Sequence, residues 1–166
     1  TSDSKAVAKI IENAKAVNPK AIILKADSEI YCKNPEKIKG KRVIVVEDGP
    51  TVTHGGMPFG VAMLTARKFG AKIAGVEKHA VGSLKQVFKK FPHLHNVLPA
   101  MGYSDNQIKE LRETINKTKA DFVLSGTPID LGRILKVNKP ILHVSYKLKE
   151  LGKPTIEEIL RKFKIL

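Results

Sequence analysis

The sequence predicts an α/β fold, with an open, mostly parallel sheet flanked by helices. Three observations carry that expectation. Val43–Val46 are four consecutive β-branched residues, the pattern of a strand buried on both faces inside a helix-covered parallel sheet. Short apolar runs alternate with helical periodicities along the chain, as they do where each strand is followed by a crossover helix. Three polar loops of similar composition, 47–56, 77–83 and 125–130, each follow a strand. In a parallel sheet such loops share one rim, and ligands bind there.

The elements follow in order. Asp3 or Ser4 can cap a helix whose apolar positions Val7, Ile10, Ile11, Ala14 and Val17 keep the 3.6 period, and Asn18 with Pro19 stops it. Ala21–Leu24 reads as a short strand, with a second near Ile30. Residues 34–41 are turn-like and basic, a linker that divides the chain into 1–39 and 40–166. After the central strand comes a glycine and hydroxyl loop. Pro58 then fits a first helical position, and the spacing of Val61, Leu64, Thr65 and Phe69 predicts a helix ending at Gly70. Ile73–Val76 is the next strand. Ser83 is the expected cap of a helix through Leu84, Val87, Phe88 and Phe91. Asn96–Leu98 reads as extended, with Pro99 tolerated at its end. Ser104 with Gln107 is a capping-box pattern for the helix through Ile108, Leu111 and Ile115. Phe122–Leu124 is a strand, Leu131 to Leu135 a short helix and Ile141–Val144 the last strand, and Thr155 with Glu158 caps a final amphipathic helix.

At 166 residues the chain suffices for one full domain and is marginal for two. No apolar run reaches bilayer length and nothing at the start resembles a signal peptide, so the expected location is the cytoplasm. Thr1 in place of a methionine points to a chain that was processed, trimmed or cut from something larger. The single cysteine, Cys32, allows neither an internal disulfide nor a cysteine metal cluster. Thirty Lys and Arg against 16 Asp and Glu give a net charge of +14. Between Thr51 and Ala100 seven basic residues meet one acid, Glu77. Such a field attracts phosphates, acidic metabolites or nucleic acid without choosing among them. With no Trp and three Tyr there is little to stack bases on, and no recognition motif accompanies the charge, so nucleic acid ranks last. Lysine enrichment also fits a thermophile.

The candidate chemistry lies in the three loops. Glu47 and Asp48 fit three roles: Mg²⁺ ligands, a general base, or caps for loop amides. Thr51, Thr53, Gly55 and Gly56 can present hydroxyls and close backbone N–H groups to phosphate oxygens, although GxxxxGK[ST] occurs nowhere in the chain. His54, flanked by Thr and Gly, is an accessible imidazole for phosphate contact or proton transfer. Ser83 and Thr127 are hydroxyls from the second and third loops. Arg133 lies one turn beyond Asp130, within reach of an anion. His79 is a weaker candidate. His93 and His95 have i, i+2 spacing but no third ligand nearby. His143, inside an apolar strand, reads as a core residue. The three loops are expected to enclose a positively charged hollow.

Four segments also carry a family likeness: VEDGPTVTHGGMPFG at 46–60, AVGS at 80–83, NVLPAMGYS at 96–104 and GTPIDLGRIL at 126–135. Together, and in this order, they resemble the carboxyl-terminal part of the archaeal cyclic 2,3-diphosphoglycerate synthetases, also described as predicted P-loop GTPases. The chain departs from that pattern at Val76–His79, where a longer segment with arginine and proline is expected. The resemblance implies a Rossmann-like sheet lacking the family's P-loop region, with Thr1–Leu24 similar to the last helix and strand of the P-loop domain and 40–166 the carboxyl-terminal α/β domain. It implies a ligase that closes an intramolecular phosphoanhydride in 2,3-diphosphoglycerate, using ATP or GTP and Mg²⁺. Activity would require the P-loop part, in cis or in trans. The residues implied are Glu47, Asp48 and His54 for catalysis, the two carboxylates also for the metal. Thr51, Thr53, Gly55, Gly56, Ser83, Thr127 and Arg133 are implied for phosphate. The partners expected are a phosphorylated small molecule and the P-loop part, with self-association left open and no membrane. The alternatives are a regulatory or interaction module of a P-loop NTPase and, last, a basic nucleic-acid-binding domain.

Overall fold

Val43–Val46 form the middle of a strand, and all four are completely buried. In the computed structural model, which describes residues 3–101 and 104–165, this strand is Arg42–Asp48. Gly102 and Tyr103 of the NVLPAMGYS segment lie outside the described residues, as do Thr1, Ser2 and Leu166. The strands are β1 (Ala26–Cys32), β2 (Arg42–Asp48), β3 (Lys72–Ile73), β4 (Val97–Ala100), β5 (Phe122–Gly126) and β6 (Ile141–Glu150). They join in the order β1-β6-β5-β2-β3, with β4 also on β2. β2 pairs in parallel with β3, β4 and β5, and β5 with β6. The result is the mostly parallel six-stranded α/β sheet that the alternation of patterns predicts.

The helices are α1 (Ser4–Val17), α2 (Gly49–Thr53), α3 (Val61–Lys68), α4 (Ser83–Lys90), α5 (Asp105–Lys117), α6 (Leu131–Ile134) and α7 (Ile156–Lys162). Three caps read from sequence are in place. Asp3 accepts from the Lys5 N–H, Ser104 from the Gln107 N–H, and Thr155 with Glu158 closes a full capping box. Other expectations shift. Ala21–Leu24 is not strand, and pairing begins at Ala26. β3 is two residues long, and the stretch after it enters a 3₁₀ turn at Glu77–His79. Pro58 precedes α3 by three residues, with Gly60 at the N-cap.

The chain divides into two compact units, residues 30–146 and residues 1–29 with 147–166. The unit of 30–146 holds every buried apolar side chain among the described residues, from Ile38 to Val144. The unit of 1–29 and 147–166 consists of α1, the start of β1, the end of β6 and α7. Its strand ends are tied by a hydrogen bond from the Leu151 N–H to the Lys25 carbonyl at 2.8 Å and by a Lys149–Glu29 ion pair at 3.7 Å. Among the described residues no helix is long and apolar enough to cross a membrane.

Candidate functional site

The site starts where β2 stops. Adjacent strand residues point to opposite faces, yet Glu47 and Asp48 line the same cavity. Asp48 is already the N-cap of α2, so its side chain has left the strand's alternation. Its Oδ2 accepts from the Thr51 N–H at 3.2 Å and from the Thr51 hydroxyl at 2.8 Å. The expected glycine loop is therefore a helical turn, begun by an Asp cap and a proline near its start. The Thr53 hydroxyl donates to the Gly49 carbonyl at 2.8 Å and meets His54 Nδ1 at 3.0 Å. Both hydroxyls are thus engaged within the turn. Asp48→Ala is expected to cost about 1 kcal/mol in chemical denaturation, whereas Asp48→Asn, an equally good cap, leaves stability near wild type.

Glu47 is the second buried anchor. It is 1% exposed, and its Oε1 accepts from the Gly60 N–H at 3.0 Å and the Met63 N–H at 2.9 Å. Gly60 has no side chain to cap α3, and Glu47 supplies that function from the strand. Gly126, its register partner on β5, also lies against the carboxyl. A Cβ at either glycine would collide with Glu47 Oε2, so the two glycines form its cradle. Burial pushes the Glu47 carboxyl up to about 7. The N–H groups of Met63, Ala62 and Gly60 pull the other way, and the Asp48 charge adds a little upward. Tyr146 across the cavity has its phenol raised as well, mainly by burial and then by the Glu47 charge.

The cavity has a volume of about 420 Å³, and its polar wall is Glu47, Asp48, Thr51, Thr127, His143, Ser145 and Tyr146. It lies at the carboxyl ends of β2 and β5, against His143–Tyr146 of β6. The first and third loops therefore meet, through Glu47, Asp48 and Thr51 on one side and Thr127 on the other. The Thr127 hydroxyl, 2% exposed, donates to the Ile129 carbonyl at 2.6 Å and meets the Ser125 hydroxyl at 3.1 Å. His54, Gly55 and Gly56 are exposed and outside the cavity, as is buried Thr53. Arg133 points to solvent and pairs with Asp130 at 3.4 Å.

The second loop does not join them. Lys78 and His79 line a smaller hollow with Arg42, Thr118 and Lys119, at the amino end of β2. Ser83 does not cap α4. Gly82 is the N-cap, at φ +54°, and the Ser83 N–H and hydroxyl both donate to Glu110. The very short β3 explains this displacement, because the chain turns back before reaching the carboxyl rim. His143 is a second correction. It is exposed and lines the cavity, while its strand neighbour Val144 is buried. Period-2 alternation of His143 and Ser145 against Leu142 and Val144 was the signal for it. His93 is a structural residue, with Nε2 2.9 Å from the Val52 carbonyl. Among the described residues no three His, Cys, Asp or Glu converge as a metal cage.

The charge of the cavity also differs from expectation. No Lys or Arg lines it. A cationic hollow lies instead at the opposite rim, where Arg42, Lys117, Lys119 and Lys139 surround about 580 Å³ together with Asp121. There the Arg42 N–H donates to Asp121 at 2.8 Å, and Lys139 donates to the Ile115 and Asn116 carbonyls at the end of α5. The sign is reversed because the lysines of α3 and α4 sit on exposed faces, whereas carboxylates terminate the central strand.

Fold and site together define an α/β protein with an acidic, ligand-sized cavity at the carboxyl ends of a mostly parallel sheet. No protein-family profile matches the chain, and no solved structure matches it. It is similar to the arginine synthetase ArcE of Thermococcus kodakarensis, with 49% identity over 164 residues, 98% of this chain and 37% of that protein. The chain thus spans little more than a third of the length of the curated relative it matches. That relative is a synthetase, as the motifs imply, but of a different name from the family they resemble.

Proposed function

We propose that this chain forms the substrate-binding part of a nucleotide-dependent synthetase acting on the guanidino end of arginine or of a closely similar molecule. The observation that supports this most is the Glu47 carboxyl, buried against two glycines at an open cavity that has a second carboxylate and neither Lys nor Arg in its lining. A guanidinium matches a carboxylate in charge and planar geometry. Met57, Val61 and Pro128 give its aliphatic stem an apolar wall. A carboxyl titrating near neutrality is also suited to take a proton from an incoming nitrogen. The relative's name agrees with this chemistry.

Mg²⁺ and ATP or GTP belong to the same reading. Mg²⁺ commonly takes one or two carboxylates and completes its octahedron with water and phosphate oxygens. Asp48 fits that sparse arrangement, whereas Glu47 is half-protonated near neutrality and already accepts two N–H bonds. When bound, the metal neutralises nucleotide phosphate charge. The P-loop part, in cis or in trans, would hold the nucleotide. A phosphorylated substrate such as 2,3-diphosphoglycerate is disfavoured, because its phosphates would face two carboxylates.

Calorimetry tests the reading. L-Arginine is expected to release binding heat, with affinity rising between pH 6 and 8 as Glu47 ionises. Glu47→Gln should weaken binding about tenfold or more, about 1.4 kcal/mol. 2,3-Diphosphoglycerate should give no heat. Binding of the diphosphate but not of arginine would reverse the assignment.

A further inference from the structure

Residues 1–29 and 147–166 form a compact unit, yet none of its described residues is buried. α1 and α7 contain no buried side chain. Thirteen large apolar residues are exposed among the described residues, and seven of them belong to this small unit: Ile10, Val17, Leu148, Leu151, Ile156, Phe163 and Ile165. Ile10 is 66% exposed and Val17 89%. The apolar stripe of α1 runs into a groove of about 320 Å³ whose walls include Val7, Ile10, Ile11, Ile23, Leu24 and Leu151. The other face of α1 is built for water. Lys9 pairs with Glu12 at 3.0 Å, and Lys15 caps the chain's exit by donating to the Pro19 and Ala21 carbonyls. An amphipathic helix exists to bury one face, and fewer than fifty residues without a buried side chain cannot offset the entropy of ordering them.

We propose that this groove is the seat of the polypeptide equivalent to the rest of the relative. The occupant follows from length. The relative matches 98% of this chain with 37% of its own sequence, which leaves 63% without a counterpart here. A segment of that size is large enough to cover α1, the groove and α7. The inference rests on reading the chain as part of a synthetase. It adds the face through which the part joins the whole, along the stripe Val7, Ile10, Ile11 and Val17.

The test uses the Thermococcus relative with its matching segment replaced by this chain. Hydrogen exchange of the α1 amides is compared in that chimaera and in the chain alone. Protection about 100-fold greater in the chimaera is expected, and Ile10→Asp should abolish it while leaving the melting of the chain alone unchanged. If the chimaera aggregates, the two parts are co-expressed with a tag on this chain. Equimolar co-elution, lost with Ile10→Asp, then supports the proposal, and its absence overturns it. Equal exchange rates in chimaera and chain also overturn it. So does a dimer of the chain alone, seen by sedimentation, that Ile10→Asp dissolves. Arginine heat is read on the same samples. Protection without heat removes the proposed substrate and keeps the docking face, and heat without protection does the reverse.

Discussion

Glu47→Gln is expected to stabilise the protein by up to about 3 kcal/mol at pH 8 and to leave its stability at pH 4 unchanged. The native carboxyl titrates at about 7 and the unfolded one near 4.5. Between those values the native state holds a proton that the unfolded state has released, so stability falls as pH rises. The stabilising contribution is complete below the unfolded value and is lost once pH passes the native one. Glutamine keeps an oxygen acceptor for the Gly60 and Met63 N–H groups and cannot ionise, so it escapes the loss. Urea unfolding at pH 4, 6 and 8 reads the difference between the two proteins. Parallel stability curves would mean that Glu47 is charged in the native state at every pH above 5. The same substitution should cost affinity for arginine, so stability and binding are expected to move in opposite directions at this residue.

Gly49→Ala is expected to destabilise the protein by about 2–3 kcal/mol. Gly49 is buried directly after Asp48, where β2 passes into α2. A Cβ there would run into the Ala100 carbonyl of β4 and into the Met101 sulfur. The sulfur can move. The carbonyl cannot do so cheaply, because Ala100 is the register partner of Asp48 in the parallel ladder. The strand and the helical turn must separate, and Asp48 with Thr51 moves with them. Arginine affinity should therefore fall together with stability, whereas Asp48→Asn is expected to leave stability intact. A loss below 1 kcal/mol in urea unfolding would show that β4 yields without strain.

Much of this architecture was legible in the chain. Val43–Val46 located the central strand because burial on both faces leaves no alternation, and Ser104, Thr155 and Asp3 marked helix starts because capping is a local, side-chain to backbone interaction. What escaped depended on distant partners. The turn at 49–53 resembles a loop in sequence because it opens on Gly and Pro and runs on to Gly55 and Gly56, although Asp48 followed by Gly and Pro also suits a capped helix. Pro58 looked like a helix start, but α3 begins where the Glu47 carboxyl can reach its amides. Ser83 has the local signature of a cap, and only the fold brings Glu110 beside it. The apolar neighbours of His143 in sequence suggest a core position, whereas the face it shares with Ser145 places it at the cavity. A count of lysines along the chain could not reveal toward which rim they project.

The segregation of charge has a kinetic corollary. The molecule carries +14 overall, yet the pocket beneath β2, β5 and β6 is anionic. A positively charged ligand must cross a repulsive far field before it meets an attractive near one. Added electrolyte shortens the reach of the first, to about 8 Å at physiological ionic strength, and barely touches contacts made inside the pocket. Arginine should consequently associate faster as salt is raised, the reverse of the behaviour of a phosphate ester.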